Sequence, residues 1–437
     1  MNPNEYLGRT IDCSCGLRHA VPVRHLVYAA NAVDAMAGVL GREIAGRSAH
    51  VICDRRTRGI AGDAALHMLE QAGWSAGMTG IEDPASGSPV CSDSSFATLD
   101  AHVPRADVYI AAGSGVVNDL AKWLAFARNT PYAALATAAS MSGYTAANVA
   151  PTVKGVKLLV RAAPPLGLFA DPAVIEAAPI EMTVSGFGDV IAKPMSTADW
   201  LMNHRLLGEP YCPVCAGLIT ALEPLYLERP EAVAACEPSS IRALFHALAY
   251  SGVAMTMMGS SIPASGGEHL FSHTLDMMTG NDGVPHDLHG RQVGLGTIFS
   301  AALYERLLSL GAFEVRPMPE GIDRAFWGPI ADAIAAEYAA KQEAIRRLAD
   351  ALRDRTRWHA ACSAVAPGLR PARAIADSLR RAGAACSLGD IGCSRARARA
   401  ALLHMHEIRA RSTVVDVAWL TGIMPGAVDD ILNQWPG

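Results

Sequence analysis

The chain has 437 residues, 51% of them hydrophobic, and a net charge of −5. Such a length predicts two or three domains with sizeable cores. The mild acidity gives no electrostatic basis for binding nucleic acid or an anionic membrane surface.

The first residues, Met1-Asn2-Pro3-Asn4-Glu5-Tyr6-Leu7, lack the basic start and apolar run of a signal peptide. Ser48-Ala49-His50-Val51-Ile52-Cys53-Asp54 reads as a buried strand ending in an acid, followed by a helix over 65–71. A second strand over 107–112 runs into Gly113-Ser114-Gly115 and a helix over 116–127. Further buried strands are expected at 132–137 and 166–171. Strands alternating with helices imply a parallel, Rossmann-like sheet covered on both faces. The pattern changes near 179–184, beyond which 189–206, 241–258, 291–308 and 330–352 carry helical periodicity. The boundary is therefore expected near residue 182, with an α/β domain over 1–182 and an α-helical domain over 183–437. A cleft between two such domains is a common ligand site. No apolar run reaches the roughly 20 residues that span a bilayer, and 247–258 reads as a buried helix. A cytoplasmic protein is expected.

Ten cysteines show no framework spacing and read as thiols in a reducing compartment. Cys13-Ser14-Cys15-Gly16 with His19, and Cys212-Pro213-Val214-Cys215, are read as ordinary thiols rather than metal or redox sites.

Four histidines cluster in Gly266-Gly267-Glu268-His269-Leu270-Phe271-Ser272-His273 and His286-Asp287-Leu288-His289-Gly290. On a helix, His269 and His273 share one face. Imidazole binds divalent metals and shuttles protons near neutral pH, so the pair suggests one ring for a metal and its neighbour for a proton. Asp189 could complete a shell of two imidazoles and one carboxylate, or could cap its own helix. The turn Gly113-Ser114-Gly115-Val116-Val117-Asn118-Asp119-Leu120-Ala121-Lys122 offers backbone N–H groups and a helix N-terminus to a pyrophosphate, without the GxGxxG spacing. Asp54 could accept from a ribose diol or cap the next helix, and Arg55 and Arg56 beside it could tolerate a 2′-phosphate.

Taken together, Gly113-x-Gly115 with Asn118-Asp119, Thr137-Ala138-Ala139-Ser140, Gly186-x-Gly188-Asp189, Pro263-Ala264-Ser265-Gly266-x-Glu268-His269-x-x-Ser272-His273 and His289-Gly290 form an ordered series. The series resembles sn-glycerol-1-phosphate dehydrogenases, particularly the bacterial AraM-like group. Their superfamily includes iron-containing alcohol dehydrogenases, glycerol dehydrogenases and dehydroquinate synthases. The likeness runs from Cys13-x-Cys15-Gly16-x-x-His19 to Arg409-x-Arg411-x-Thr413.

The resemblance implies a dehydroquinate synthase-like fold with a dinucleotide-binding domain over 1–182 and a metal- and substrate-binding domain over 183–437, one divalent metal (zinc, nickel or iron), NAD or NADP, and a homodimer or higher homo-oligomer. It implies Asp189, His269 and His289 as metal ligands, with Asp189 and His273 in the catalytic machinery. Asp54, Gly113, Ser114, Gly115, Val116, Asn118, Asp119, Thr137, Ala138 and Ser140 match nucleotide contacts. Ser142, Lys193 and His273 are the expected substrate contacts. The activity implied is interconversion of glycerol 1-phosphate and dihydroxyacetone phosphate.

Two positions depart from the pattern. Ser142 stands where the family typically has aspartate, and Ile262 where it typically has arginine, a natural phosphate clamp. Ala146 replaces a serine often found near the cofactor. The departures leave open a different polyol, phosphonate or sugar-derived substrate. The rival activities are a sugar-phosphate cyclase and a non-catalytic nucleotide-binding protein.

Overall fold

The computed structural model describes residues 3–84 and 87–435. Contacts divide the chain into two units, one of residues 1–186 with 217–260, the other of residues 187–216 with 261–437.

The first unit opens with a hairpin of β1 (Thr10–Asp12) and β2 (Arg18–Ala20), paired antiparallel with Ile11 opposite His19. Its centre is a six-stranded sheet containing β3 (His25–Tyr28), β4 (Ser48–Asp54), β5 (Ser75–Ile81), β6 (Val108–Gly113) and β7 (Tyr132–Ala136). Two small antiparallel pairs follow, β8 (Asn148–Val149) with β11 (Val160–Arg161) and β9 (Thr152–Val153) with β10 (Val156–Lys157). The sixth strand of the main sheet is β12 (Gly167–Ala170). Strand order is β3-β12-β7-β6-β4-β5, and every pairing is parallel.

β6, β7 and β12 are buried at every position, as near-continuous apolar sequence requires of central parallel strands. Val51, Ile110, Leu135 and Phe169 join Met36 and Leu40 of the helix Ala32–Glu43 in one core cluster. Each such side chain contributes about 1.5–3 kcal/mol by leaving water.

The expected parallel sheet thus exists with two strands more than the periodicity indicated. β3 is half-buried throughout, and β5 contains Gly77 and Gly80, so neither reads as an apolar run. Both lie at edges of the sheet. The long helix Pro238–Met258 packs against the loop after β7. Thr145 donates to the Ala249 carbonyl at 2.5 Å, and a Cβ at Gly252 would lie 2.2 Å from Thr145 Oγ1. Glycine is therefore required where helix and loop meet.

Beyond Ala170 every regular element among the described residues is helical. The expected helix over 189–206 is two helices, Ile180–Ile191 and Lys193–Leu207, the second carrying Pro194 in its first turn. The helices Gly267–Asp282 and His289–Leu308 form the centre of the second unit. No helix of the described residues is long and apolar enough to cross a membrane.

Candidate functional site

Asp189 lies in the body of the helix Ile180–Ile191, so it caps nothing; that alternative is overturned. His269 and His273 sit one turn apart on Gly267–Asp282, and His289 is the first residue of His289–Leu308. Asp189, His269 and His289 each direct one ligand atom into a common space, all within 4.8 Å of one another. Asp189 Oδ1 and His269 Nε2 are 3.7 Å apart. Ring centroids of His269 and His289 are 5.2 Å apart, and those of His273 and His289 are 5.5 Å apart. His286 stands away from this group, exposed, 3.9 Å from Asp276.

Missing side chains bring the three together. A Cβ on Gly188 would lie 2.1 Å from the Gly290 carbonyl oxygen, and one on Gly296 would lie 2.1 Å from that of Glu268. Backbone therefore touches backbone beside Asp189, beside His289 and beside His269. Any larger residue would force these helices apart.

Hydrogen bonds then set each ring. His269 donates from Nδ1 to Glu268 Oε1 at 2.8 Å, which leaves Nε2 with its lone pair towards Asp189. Glu268 Oε1 also accepts from the Gly266 N–H at 2.6 Å, and the residue is fully buried. His289 Nδ1 is 3.2 Å from Ser272 Oγ, which lies 3.2 Å from Gln292 Oε1. A carboxylate or hydroxyl behind each imidazole fixes tautomer and ring direction, as metal-binding histidines require. Neither Glu268 nor Ser272 was singled out from sequence. An acid directly before His269 is the one signal in the sequence; Ser272 reaches His289 from another helix, seventeen residues away, which no local spacing records.

Lys193 does not lie open to a ligand. Its Nζ donates to Asp189 Oδ1 at 2.7 Å and to the Ala264 carbonyl at 2.9 Å, with 1% of the side chain exposed. Burial works to raise the Asp189 pKa, but the Lys193 charge and the two imidazoles outweigh it and hold the carboxyl well below its usual range. An ionised carboxylate and two oriented imidazoles are a donor set that fits a divalent transition metal.

A second acid lies behind the site. Asp199 Oδ2 accepts from the Gly267 N–H at 2.7 Å, and its Oδ1 accepts from Tyr304 at 2.6 Å and the Val414 N–H at 2.9 Å. Burial and the Glu268 charge push Asp199 up to about 7, against the pull of those donors. The half-buried Arg411 guanidinium, bonded to the Ser265 carbonyl, faces both acids and offsets their charge.

In the first unit, the expected nucleotide residues gather at the C-terminal ends of β4, β6 and β7, where open α/β sheets bind ligands. The turn Gly113-Ser114-Gly115 opens the helix Gly115–Ala127, which carries Val116, Asn118 and Asp119. Ser114 and Ser140 hydroxyls are 2.5 Å apart, tying this turn to the Thr137–Ala138–Ala139–Ser140 loop. Tyr144 holds the same loop through the Ala138 carbonyl at 2.9 Å. A Cβ on Gly113 would strike Val117 at 2.6 Å, whereas one on Gly115 would meet only Met141 at 3.6 Å. Packing explains the first glycine, whereas at the second a Cβ would make only ordinary van der Waals contact. Asn118 Oδ1 is buried with no hydrogen-bond partner among the described residues, an orphaned acceptor at this turn.

Lys122, fully buried, donates to the carbonyls of Gly143 at 2.5 Å and Asn148 at 3.1 Å, fixing the stretch that begins at Ser142. Asp54 does cap the following turn, its Oδ1 accepting from the N–H groups of Arg56 at 2.9 Å and Thr57 at 2.8 Å. Arg55 and Arg56 both pair with Asp83, at 2.9 and 2.7 Å.

Comparison with known proteins agrees with this arrangement. Residues 27–179 match the family model for iron-containing alcohol dehydrogenases. A Bacillus licheniformis protein named glycerol-1-phosphate dehydrogenase (NAD(P)+) is 29% identical over 435 residues, 99% of this chain and 97% of that one. A Bacillus subtilis protein of the same name is 32% identical over 290 residues, 66% of this chain and 73% of that one. The chain belongs to the glycerol-1-phosphate dehydrogenase family. The fold agrees with a glycerol dehydrogenase structure from Schizosaccharomyces pombe, with a TM-score of 0.61, 14% identity and coverage of 94% of this chain and 91% of that one. Of the two positions where a departure from the family pattern is expected, Ser142 is buried and Ile262 is half-buried.

Proposed function

We propose that the protein is a metal-dependent, NAD(P)-linked dehydrogenase that interconverts sn-glycerol 1-phosphate and dihydroxyacetone phosphate. The observation that carries this reading is the convergence of Asp189, His269 and His289, each ring oriented from behind, in a chain of this family. In this reading the first unit binds the dinucleotide and the second binds the metal and the polyol. The enzyme is a cytoplasmic homodimer, and zinc, nickel or iron fills the site; the two nitrogens and one oxygen suit each of these.

When bound, the metal supplies a Lewis acid that lowers the pKa of the secondary alcohol towards neutrality. Asp189, His269 and His289 hold it, and Lys193 keeps the Asp189 carboxylate in its charged form. His273, buried with its ring 5.5 Å from that of His289, accepts the hydroxyl proton directly or through one water. The same carbon would give its hydride to bound NAD(P)+, so the alcohol would lose that proton and a hydride, two hydrogens and two electrons in all, and become the ketone. The turn 113–115 and the loop 137–140 hold the pyrophosphate and its riboses, with Asp54 at the adenosine side. Because Asp83 already engages Arg55 and Arg56, a 2′-phosphate must compete for them, and NAD is the preferred cofactor.

A second reading rests on Ser142 and Ile262. Loss of a carboxylate and a guanidinium together alters the substrate pocket, each contact being worth about 1.5–3 kcal/mol, and favours a different polyol. One assay panel decides between the readings: glycerol phosphates, dihydroxyacetone phosphate, glycerol and other polyols, with NAD(H) and NADP(H), after reconstitution with zinc, nickel or iron. The glycerol-phosphate reading expects dihydroxyacetone phosphate reduction to dominate. A better unphosphorylated or phosphonate substrate would favour the second. Absence of net NADH turnover with every substrate would remove both.

A further inference from the structure

We propose that the N-terminal hairpin carries a separate zinc site formed by Cys13, Cys15 and His19. Sequence alone reads these as ordinary thiols beside a histidine. The fold places them otherwise. Cys13 and Cys15 are two apart on the turn that joins β1 to β2. That turn is closed by the Gly16 N–H on the Cys13 carbonyl at 2.9 Å and the Cys13 N–H on the Leu17 carbonyl at 3.0 Å. Gly16 adopts φ +84, a left-handed conformation that lets the chain reverse immediately after the second thiol. His19 lies on the returning strand. One ligand atom from each of the three residues falls within 4.8 Å of the others.

The histidine is set for ligation. Its Nδ1 lies 2.8 Å from the Met257 carbonyl oxygen, which can only accept, so Nδ1 carries the hydrogen. Nε2 therefore presents a lone pair, and Cys15 Sγ is 3.3 Å from it. In a tetrahedral zinc site, with Zn–S of about 2.3 Å and Zn–N of about 2.0 Å, sulfur and nitrogen ligands stand about 3.6 Å apart and two sulfurs about 3.8 Å. The observed 3.3 Å between Cys15 Sγ and His19 Nε2, and the 4.8 Å limit on the rest, bracket those separations. Binding would release the two thiol protons and leave one tetrahedral position for water or a further ligand.

The donor chemistry separates this site from the Asp189 site. Two sulfurs and a nitrogen select a soft or borderline ion, whereas the Asp189 site offers no thiolate. The hairpin also has reason to need a metal. Its strands are three residues each, and an isolated two-stranded ribbon is marginal in water. Yet His19, 1% exposed, is drawn inward to the C-terminal end of the helix Pro238–Met258. Zinc would fasten the two thiols to that anchored imidazole.

The test uses the full chain with zinc or cobalt. His289→Ala removes the Asp189 site, and this variant should still retain about one zinc per chain after dialysis. Its cobalt form should show the near-ultraviolet thiolate-to-metal charge-transfer band. Both signals should vanish when Cys13→Ser and Cys15→Ser are added. Alkylation of wild-type protein, mapped by peptide mass spectrometry, should spare Cys13 and Cys15 with zinc bound and label both after chelation. That labelling test needs no variant to fold. No retained zinc in His289→Ala, a charge-transfer band that survives loss of both thiols, or equal labelling with and without chelator would overturn the proposal.

Discussion

Glu268 is the residue whose replacement separates metal ligation from folding. Its Oε1 accepts from His269 Nδ1 at 2.8 Å and from the Gly266 N–H at 2.6 Å. Glutamine keeps the volume and one acceptor but removes the charge behind the imidazole. A hydrogen bond to a charged group contributes about 1.5–3 kcal/mol and a neutral one about 0.5–1.5 kcal/mol, so Glu268→Gln should weaken His269 as a ligand by about 1–2 kcal/mol. This corresponds to a loss of metal affinity of about 5- to 30-fold, overlapping the lower part of the roughly 10- to 100-fold range known for groups behind metal-binding histidines. Folding should respond differently, because the Glu268 charge is one of the causes that push Asp199 up to about 7. Removing it relieves that repulsion, so metal-free Glu268→Gln should unfold at or above the wild-type midpoint. Chelator competition gives the affinity, and thermal unfolding of metal-free protein gives the stability. Unchanged affinity together with a lower unfolding midpoint would show that Glu268 anchors only the Gly266 turn, and the reasoning would fail.

The other predictions concern the same unit. Ser272→Ala loses one neutral bond to His289 and should cost only about 0.5–1.5 kcal/mol of metal affinity, less than Glu268→Gln, by the same competition assay. Gly188→Ala places a methyl group 2.1 Å from the Gly290 carbonyl oxygen. It should destabilise the fold by about 1–3 kcal/mol and lower metal affinity as Asp189 and His289 separate; a neutral effect on both would contradict the close-approach account. His406 is 1% exposed, and burial, then the Lys341 charge, lowers its pKa to about 3. The unfolded chain takes up a proton below about 6.5 that the folded chain refuses, so stability is complete above that pH and is lost as pH falls towards 3. The slope should approach about 1.4 kcal/mol per pH unit, and His406→Asn, measured by denaturant unfolding at pH 6, 5 and 4, should flatten it.

Much of this was legible before any coordinates. β4, β6, β7 and β12 could be read because strands buried on both faces are apolar almost without interruption. β3 and β5 could not, since edge strands mix polar, glycine and apolar residues. The helix Pro238–Met258 reads as buried on nearly every side, but periodicity does not say against what, and it groups with the first unit. At the site, the His269 and His273 spacing speaks for itself on a helix. That His289 joins them depends on Gly188 and Gly296 standing where helices touch, which sequence records only as two more glycines. Asp54 is an instance where both readings of one residue meet. It caps the following turn through Oδ1, at the strand end from which a ribose contact is proposed.

The central claim, a divalent ion held by one acid and two imidazoles, is tested most directly by anomalous diffraction from crystals of zinc-reconstituted protein. The account predicts a peak about 2.0–2.2 Å from an Asp189 carboxylate oxygen, His269 Nε2 and His289 Nε2 together. A fully reconstituted, active protein with no peak at that point would contradict it.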